Sequence, residues 1–371
     1  KLMKILLCFG TRPEAIKIAP LYHQLKKDAF FDVKVCVTAQ HRQMLDQVLD
    51  FFEITHDYDL DLMVKSQTLN ELSARILSGI NTVFLDAKPD LVCVHGDTTT
   101  SSMVALAAFH LKIKIAHIEA GLRTYNKNSP FPEEMNRQIT GRLADYHFAP
   151  TPEALNNLLE EKVANTSVFN VGNTVIDALL WAKNKISHNY INDDVVAFSN
   201  KIDTTKKLVL VTGHRRENFG KGFENLCDAL LELSYRDDVQ IVYPVHLNPN
   251  VLEPVNNKLS QRENIFLLPP ADYPFFIWLM QNSFLIISDS GGIQEEAPTL
   301  GKPVLVTRNE TERQEGVAGG FSFLVGTDKQ KIVKKATDLL DNFKGFINTK
   351  NPYGDGLACK KIAETLKQLN K

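Results

Sequence analysis

Residues 285–296 have the sequence LIISDSGGIQEE, and this stretch decides the fold class. A short apolar run ends in a Ser-Gly-Gly turn, and a segment that favours helix follows at once. Strands that are apolar on both faces are typical of parallel sheets, because helices cover both sides of such a sheet. The glycines let backbone N–H groups approach an anion, and the helix start adds partial positive charge. The stretch therefore predicts a phosphate site at the edge of a parallel sheet.

The same strand-and-helix alternation runs along the whole chain, and it occurs twice. The predicted strands are 5–9, 33–38, 91–95, 113–118, 146–149 and 168–171 in the first half, and 208–212, 240–245, 265–268, 285–288, 304–307 and 323–325 in the second. Helical stretches, such as 68–85, 98–111 and 223–233, lie between them. This alternation predicts an α/β protein with two doubly wound sheets, whose ligands bind at the carboxyl ends of the strands.

Length and composition narrow the class of protein. A chain of 371 residues is too long for one ordinary core, which favours two domains. With 42 Lys and Arg against 44 Asp and Glu, the chain lacks the basic excess of a general nucleic-acid binder. Apolar runs are shorter than the ~18 residues of a membrane span, and we expect the first ten residues to form a strand rather than a signal peptide. The five cysteines have no metal-binding spacing, so we expect buried thiols, no metal and a cytoplasmic location.

Charged side chains follow the predicted strands of the first half. Arg12 and Lys17 follow the first strand, Asp97 follows the strand 91–95, and Glu119 follows the strand 113–118. Glu133 opens a helix after two prolines. Each residue alone could be a helix cap or a surface charge. Asp97 and Glu119 at successive strand ends, with Glu133 shortly after them, are harder to explain in that way, and they indicate a site.

In the second half, a histidine and two arginines follow the strand 208–212 directly. The sequence GHRRE at residues 213–217 indicates a second phosphate site there. Glu296 lies about one turn into the helix after the Ser-Gly-Gly turn, where it could accept hydrogen bonds from ribose hydroxyls. The chain contains neither GxGxxG nor GxxxxGK[ST], so a standard dinucleotide fingerprint and a P-loop are both absent from the sequence.

Taken together, these motifs resemble the non-hydrolysing UDP-N-acetylglucosamine 2-epimerases of bacterial cell-surface polysaccharide synthesis, essentially from end to end. The segments that carry the resemblance are FGTRPEAIK (9–17), TAQHRQMLDQVL (38–49), VHGDTTT (94–100), HIEAGLRT (117–124), SPFPEEMNRQ (129–138), GNTVIDALL (172–180), VTGHRRENFG (211–220), YPVHLNPNV (243–251), SDSGGIQEEAP (288–298), TER (311–313) and NPYGDG (351–356). The family implies a GT-B fold, in which two Rossmann-like domains face an interdomain cleft. We place the N-terminal domain at 1–171, with a C-terminal helix at 355–371 packed back on it, and the UDP-binding domain at 172–354.

The resemblance also implies an activity and the residues that perform it. The expected reaction is reversible C2 epimerisation of UDP-N-acetylglucosamine (UDP-GlcNAc) to UDP-N-acetylmannosamine (UDP-ManNAc), by elimination of UDP to 2-acetamidoglucal and re-addition, without a cofactor. The expected catalytic residues are Asp97, Glu119, Glu133 and His214, and which carboxylate is the base stays open. The expected substrate contacts are Arg12, Lys17, Asp97, Glu119, His214, Ala271, Phe276, Ser290, Gly291, Gly292, Glu296 and Arg313. A homodimer without a membrane or nucleic-acid partner is expected.

Three positions depart from the family pattern. Ala271 replaces a glutamine near the uracil, which weakens base recognition only if the family uses that side chain rather than the backbone. Gln314 replaces the proline after TER, and we expect a looser loop around Arg313. Some relatives bind a second UDP-GlcNAc as an activator, and the possible allosteric residues here are Gln40, Gln43, Glu134, Arg215 and His246. Ser66 replaces an arginine of that site, so we expect weaker allostery.

Three other functions are compatible with parts of this pattern. A sister 2-epimerase could act on a modified UDP-sugar with the same residues. A GT-B glycosyltransferase would share the nucleotide site, but it needs one base and an acceptor surface rather than three acids. A UDP-sugar sensor without catalysis has no need for the four candidate catalytic residues.

Overall fold

The chain folds into two compact units. In the computed structural model, residues 2–38, 42–62, 64, 66–188, 190–213, 215, 218–311, 313–347 and 350–370 are described. Unit 1 comprises Lys1–Trp181 and Tyr353–Lys371, and unit 2 comprises Ala182–Pro352. The division therefore falls later than the boundary after residue 171 that the sequence suggested, and the chain returns to unit 1 at Tyr353.

Unit 1 is built from parallel strands and the helices that connect them. Its strands in the described residues are β1 (Met3–Phe9), β2 (Phe31–Val37), β3 (Tyr58–Asp59), β4 (Leu91–His95), β5 (Lys114–Ile118), β6 (Tyr146–Ala149) and β7 (Val168–Asn170). Its helices are α1 (Arg12–Lys26), α2 (Arg42–Phe51), α3 (Leu69–Ala87), α4 (Thr99–His110), α5 (Glu133–Leu143), α6 (Pro152–Glu160) and the first half of α7 (Thr174–Ser187). A 3₁₀ turn, Asn165–Ser167, precedes β7.

Unit 2 repeats this architecture. Its helices after α7 are α8 (Asp193–Ser199), α9 (Lys221–Leu233), α10 (Pro249–Leu259), α11 (Tyr273–Asn282), α12 (Gly291–Glu296), α13 (Gln314–Ala318) and α14 (Lys329–Asn342). Its strands are β8 (Lys207–Thr212), β9 (Val239–Pro244), β10 (Ile265–Leu268), β11 (Leu285–Ser288), β12 (Val304–Val306) and β13 (Ser322–Leu324). A 3₁₀ turn, Ala297–Leu300, extends α12, and a last helix, α15 (Ala358–Leu369), belongs to unit 1.

Both sheets are parallel and share one strand order. The order is β3-β2-β1-β4-β5-β6-β7 in unit 1 and β10-β9-β8-β11-β12-β13 in unit 2. In each sheet the chain first builds outward on one side and then crosses to the other side, between β1 and β4 or between β8 and β11. Loops separate at such a switch point and leave a crevice at the carboxyl ends of the two strands, where α/β proteins bind their ligands.

All twelve predicted strands are present, and their ends differ from the prediction by no more than two residues. The prediction of two doubly wound α/β domains is confirmed. The strand that the sequence did not reveal is β3, whose two residues, Tyr58 and Asp59, are too short to give an apolar run. The five cysteines are buried free thiols. Within the described residues, no helix is both long enough and apolar enough to cross a membrane.

Helix α15 completes unit 1 although it follows unit 2 in the sequence. Its apolar side chains, such as Ile362 and Leu366, are fully buried, and α15 packs against α1. The buried carboxylate of Asp177 accepts hydrogen bonds from the backbone N–H groups of Ala358 (3.2 Å) and Cys359 (2.9 Å). Asp177 therefore satisfies two of the N–H groups that a helix start leaves without partners.

We expect Asp177→Ala to destabilise the protein by about 1–3 kcal/mol, because two buried N–H groups lose a charged acceptor. Urea denaturation followed by circular dichroism would measure the change. Glu364→Ala is the matched control, since Glu364 lies on α15, the helix whose start Asp177 caps, in an exposed ion pair with Lys360. Such a surface change is expected to stay within about 0.5 kcal/mol. Equal effects of the two substitutions would contradict the anchoring role of Asp177.

Candidate functional site

A buried carboxylate joins the two loops at the switch point of unit 1. Glu14 is 2% exposed, and it accepts hydrogen bonds from the backbone N–H groups of Gly10 (3.0 Å) and Thr11 (2.9 Å), which follow β1. Glu14 also accepts a hydrogen bond at 2.7 Å from the hydroxyl of Thr98, the residue that precedes α4. Burial raises the pKa of Glu14, and these donors oppose that rise. The sequence analysis missed Glu14, although the Thr11-x-x-Glu14 spacing is that of a capping box.

Gly10 is required where the loop after β1 passes close to two threonines. The hydroxyls of Thr38 and Thr100 are hydrogen-bonded to each other at 2.9 Å. A Cβ atom on residue 10 would lie 2.0 Å from Thr38 Oγ1 and 2.9 Å from Thr100 Oγ1. Only glycine lets the chain pass this point, which places Arg12 at the first residue of α1.

Glu119, the residue after β5, is surrounded by nitrogen donors. Its Oε2 lies 2.5 Å from Lys17 Nζ, 3.0 Å from Asn173 Nδ2 and 3.9 Å from His95 Nε2. Its backbone has a φ of 61°, a left-handed conformation that is uncommon outside glycine. The side chain is 11% exposed. The Glu119 carboxylate is therefore fixed in one orientation by its hydrogen bonds. Asn173, which donates one of them, was not among the residues selected from the sequence.

Asp97, which follows β4, belongs to the same group of charges. Its Oδ2 lies 3.0 Å from Arg137 Nη2, and its side chain is 32% exposed. Burial raises the pKa of Asp97, Arg137 and Lys17 lower it, and the negative charges of Glu119 and Glu133 raise it. The structure thus brings three of the predicted catalytic carboxylates into one electrostatic cluster, together with Lys17.

Three buried histidines lie behind this cluster, on the neighbouring strands β4, β5 and β6. Burial lowers the pKa of His95 to about 4, of His117 to about 3 and of His147 to about 4, so all three are neutral at pH 7. His117 Nε2 donates a hydrogen bond to the carbonyl of Gly96 at 2.7 Å. Gly96 has a φ of 61° and directly precedes Asp97, so His117 supports the turn that carries that carboxylate.

Glu134 has a structural role in this conformation. It is fully buried, and its carboxylate accepts hydrogen bonds from Thr124 N (3.0 Å), Tyr125 N (3.0 Å) and Gln138 Nε2 (2.8 Å). These bonds fix the segment that runs from the end of β5 toward α5. Glu133, its neighbour, is half-buried and is the first residue of α5.

A buried carboxylate also lies at the switch point of unit 2. Asp289 follows β11 and is fully buried, and its Oδ2 accepts hydrogen bonds from Arg215 N (2.9 Å) and Asn218 Nδ2 (3.4 Å). Arg215 Nε donates to the backbone carbonyl of Asp289 at 3.0 Å. The strands themselves are joined where they end, because Thr212 Oγ1 lies 2.7 Å from Ser288 Oγ. From the sequence, Asp289 is distinguished only as part of the Ser-Gly-Gly motif.

Of the two glycines in the Ser-Gly-Gly motif, Gly291 is the one at which a side chain would clash with the rest of the protein. A Cβ atom on Gly291 would lie 2.8 Å from Arg313 Cζ, whereas the nearest atom to one on Gly292 would be Glu296 Oε1 at 3.7 Å. The Arg313 guanidinium therefore lies directly against the backbone after Ser290. It is held there by Glu295, whose Oε1 is 3.0 Å from both Nε and Nη2 of Arg313.

The looser loop expected from Gln314 stays a prediction, although the Gln314 side chain forms a hydrogen bond there. Gln314 Nε2 donates a hydrogen bond to the carbonyl of Thr311 at 2.6 Å. The Thr311 hydroxyl accepts from Arg313 N at 3.2 Å and donates to Gln294 Oε1 at 2.8 Å. Gln314 is the first residue of α13. Proline suits this position, because a backbone N–H there would have no partner within the helix. In this chain the Gln314 side chain forms a hydrogen bond to Thr311 at this position instead.

The remaining predicted residues lie elsewhere on the units. Ala271 directly precedes Asp272, the N-cap of α11, and Phe276 lies half-buried within that helix. Gln43 is exposed on α2 and His246 is exposed after β9. His214 and Gln40 lie outside the described residues. In the part of the chain that is described, no group of three or more His, Cys, Asp or Glu side chains could hold a metal ion.

Comparison with known proteins gives one consistent result. The family model described as UDP-N-acetylglucosamine 2-epimerase matches residues 23–367. The chain is 55% identical, over 370 residues and 98% of both chains, to the UDP-N-acetylglucosamine 2-epimerase of Escherichia coli K12. The UDP-GlcNAc 2-epimerase of Neisseria meningitidis, solved bound to UDP-GlcNAc, is 49% identical with a TM-score of 0.90, over 99% of this chain and 100% of that one. A putative 2-epimerase of Listeria monocytogenes is 45% identical with a TM-score of 0.92, over 100% and 97%.

Proposed function

Because the chain belongs to the UDP-N-acetylglucosamine 2-epimerase family, we propose that it interconverts UDP-GlcNAc and UDP-ManNAc by inversion at C2 of the sugar. The chain has the GT-B fold of that family, and its family membership decides against a glycosyltransferase or a sensor. The observation that carries the proposal is the cluster of Asp97, Glu119 and Glu133 at the carboxyl ends of β4 and β5 and the start of α5.

The chemistry explains why several acids are needed. The C2 hydrogen of the sugar is not next to a carbonyl group, so its removal alone gives no stabilised enolate. We propose that a carboxylate takes the C2 proton while the C1–O bond to UDP breaks, which gives 2-acetamidoglucal and UDP. UDP oxygen then adds back to C1, and an acid delivers a proton to the opposite face of C2. Each direction needs one proton acceptor and one proton donor.

The surroundings of the carboxylates suit this exchange. Glu119 accepts hydrogen bonds from Lys17 and Asn173, so its carboxylate is oriented before the substrate binds. Asp97 is one-third exposed, and burial raises its pKa, which makes its carboxyl group easier to protonate. These two groups and Glu133 are the proposed acid and base, with His214 as the fourth catalytic residue.

We assign the nucleotide mainly to unit 2. The Arg313 guanidinium, already ordered by Glu295, and the backbone of Ser290–Gly292 provide donors for a diphosphate. Glu296 is the proposed ribose acceptor, and the ring of Phe276 the proposed uracil contact. Ala271 has no polar side-chain atom, so any hydrogen bond from that position to uracil uses the backbone.

Arg12 and Lys17 of unit 1 are the remaining proposed diphosphate ligands. Lys17 is already in an ion pair with Glu119, so a bound diphosphate would compete for the same ammonium group.

Epimerisation in D2O tests the proposal directly. We expect the wild-type protein to incorporate deuterium at C2 of UDP-GlcNAc and to form UDP-ManNAc without any acceptor, as proton NMR would record. Asp97→Asn, Glu119→Gln and Glu133→Gln should each lower turnover by about 10²–10⁴-fold, because each removes one proton-transfer group.

The matched control is Glu153→Gln, which changes an exposed carboxylate on α6 and should leave turnover unchanged. Calorimetry should show that UDP still binds to all four variants. Near-wild-type turnover in any two of the three acid variants would contradict the assignment of the cluster, and no exchange by the wild type would contradict the proposed function.

We propose that a second UDP-GlcNAc activates this enzyme only weakly. In the family site, Gln40, Gln43, Glu134, Arg215 and His246 would make the contacts. The carboxylate of Glu134 already holds two backbone N–H groups, and Arg215 is tied to Asp289. Ser66 cannot form the bidentate contact of an arginine.

The reverse reaction measures this activation. We expect pure UDP-ManNAc to be converted without a long lag, because turnover does not require UDP-GlcNAc to accumulate first as the activator. Ser66→Arg should lengthen the lag and Ser66→Ala should not. A long lag in the wild-type reaction that a trace of UDP-GlcNAc abolishes would show that activation is strong despite Ser66.

We also propose that the enzyme is a cytoplasmic homodimer whose product feeds cell-surface polysaccharide synthesis. Its five buried free thiols suit a reducing compartment, and cell fractionation would test the location.

Leu85 of α3 and Phe109 of α4 are 61% and 57% exposed at the same end of neighbouring parallel helices, which supports an apolar contact between copies. Light scattering should give about twice 41.7 kDa, and the double variant Leu85→Asp/Phe109→Asp should be monomeric. A monomeric wild type would contradict the dimer.

A further inference from the structure

Arg137 lies between two carboxylates of unit 1 and has not been assigned a function above. It is on α5, one turn after Glu133, and its side chain is 11% exposed. Its Nη2 lies 3.0 Å from Asp97 Oδ2, and its Nη1 lies 3.7 Å from Glu134 Oε2. Among the described residues, its buried Nε has no hydrogen-bond acceptor. The guanidinium is therefore held in place by these carboxylates.

The position of Arg137 matters because burial and two neighbouring carboxylates disfavour a negative charge on Asp97. Around Asp97, α5 contributes Arg137 and Glu133, the turn after β5 contributes Glu119, and α1 contributes Lys17. Lys17 is already bound to Glu119 at 2.5 Å. Arg137 is the cation in direct contact with Asp97, and no second cation among the described residues lies within ion-pair distance of it.

We infer that Arg137 is a positioning residue that orients Asp97 and stabilises its ionised form among the other acids of the cluster. The inference rests on the proposed function, in which Asp97 transfers a proton. Arg137 acts through Asp97 rather than on the sugar or the diphosphate. A guanidinium suits this task because it cannot lose its own proton in the physiological range and holds a fixed geometry.

The pH dependence of kcat/KM distinguishes this role from a purely structural one. Removal of the positive charge makes ionisation of Asp97 harder, so its pKa rises, by about one to three units for a charge this close. In Arg137→Gln we therefore expect one limb of the pH profile to move to higher pH by at least one unit. If Asp97 is the base, the acid limb moves, and if Asp97 is the acid, the alkaline limb moves.

Two further variants keep the test decisive. Arg137→Lys retains the charge, so its pH profile should stay close to that of the wild type, although a lower kcat is expected because the fixed fork is lost. Arg142→Gln removes an exposed arginine from the same helix and should leave both limbs in place. Thermal unfolding and calorimetric UDP affinity, measured for each variant, report on folding and on nucleotide binding.

The outcomes separate this inference from the proposed function. If the wild type does not epimerise UDP-GlcNAc, the proposed function fails and the assignment of Arg137 fails with it. If the wild type is active and Arg137→Gln is folded but neither limb moves upward, the positioning role alone is overturned. A loss of UDP affinity of more than tenfold in Arg137→Gln would also overturn it, because Arg137 would then act as a nucleotide ligand.

Discussion

The site in each unit depends on a buried carboxylate that joins the loops at a switch point of the strand order. Glu14 joins the loop after β1 to the start of α4, and Asp289 joins the loop after β8 to the end of β11. A buried carboxylate is costly unless donors surround it, so each one is stable only when both loops are in their native positions. The crevice at a parallel sheet edge is thus held in shape before any ligand arrives.

The second constraint is the pairing of opposite charges inside a crowded acidic site. Glu119 is bound to Lys17 and Asp97 to Arg137, while each carboxylate raises the cost of charging its neighbour. The neutral histidines behind the cluster add no further positive charge. Asp97 and Glu119 therefore each have their own cation and their own environment, which is how two similar carboxyl groups acquire different protonation behaviour.

Much of the fold could be predicted from the sequence, because buried parallel strands leave continuous apolar runs and the turn residues after them are distinctive. Asp97 and Glu119 could be selected because they follow such runs directly. Asn173 and Arg137 could not, since they come from segments distant in sequence and reach the carboxylates only after the sheet forms. The hydrogen bond of the Gln314 side chain could not be predicted either, because it depends on the side-chain conformation.

The return of the chain to unit 1 at Tyr353 has a consequence for the order of events during synthesis. Unit 2 is topologically an insertion into unit 1, and α1, which also packs against α2, lacks α15 as a packing partner until that helix has been made. The ribosome must therefore translate all of unit 2 before unit 1 can bury that surface. The first half of the chain to emerge is the last to be completed, so a nascent chain that stops within unit 2 exposes apolar side chains of α1.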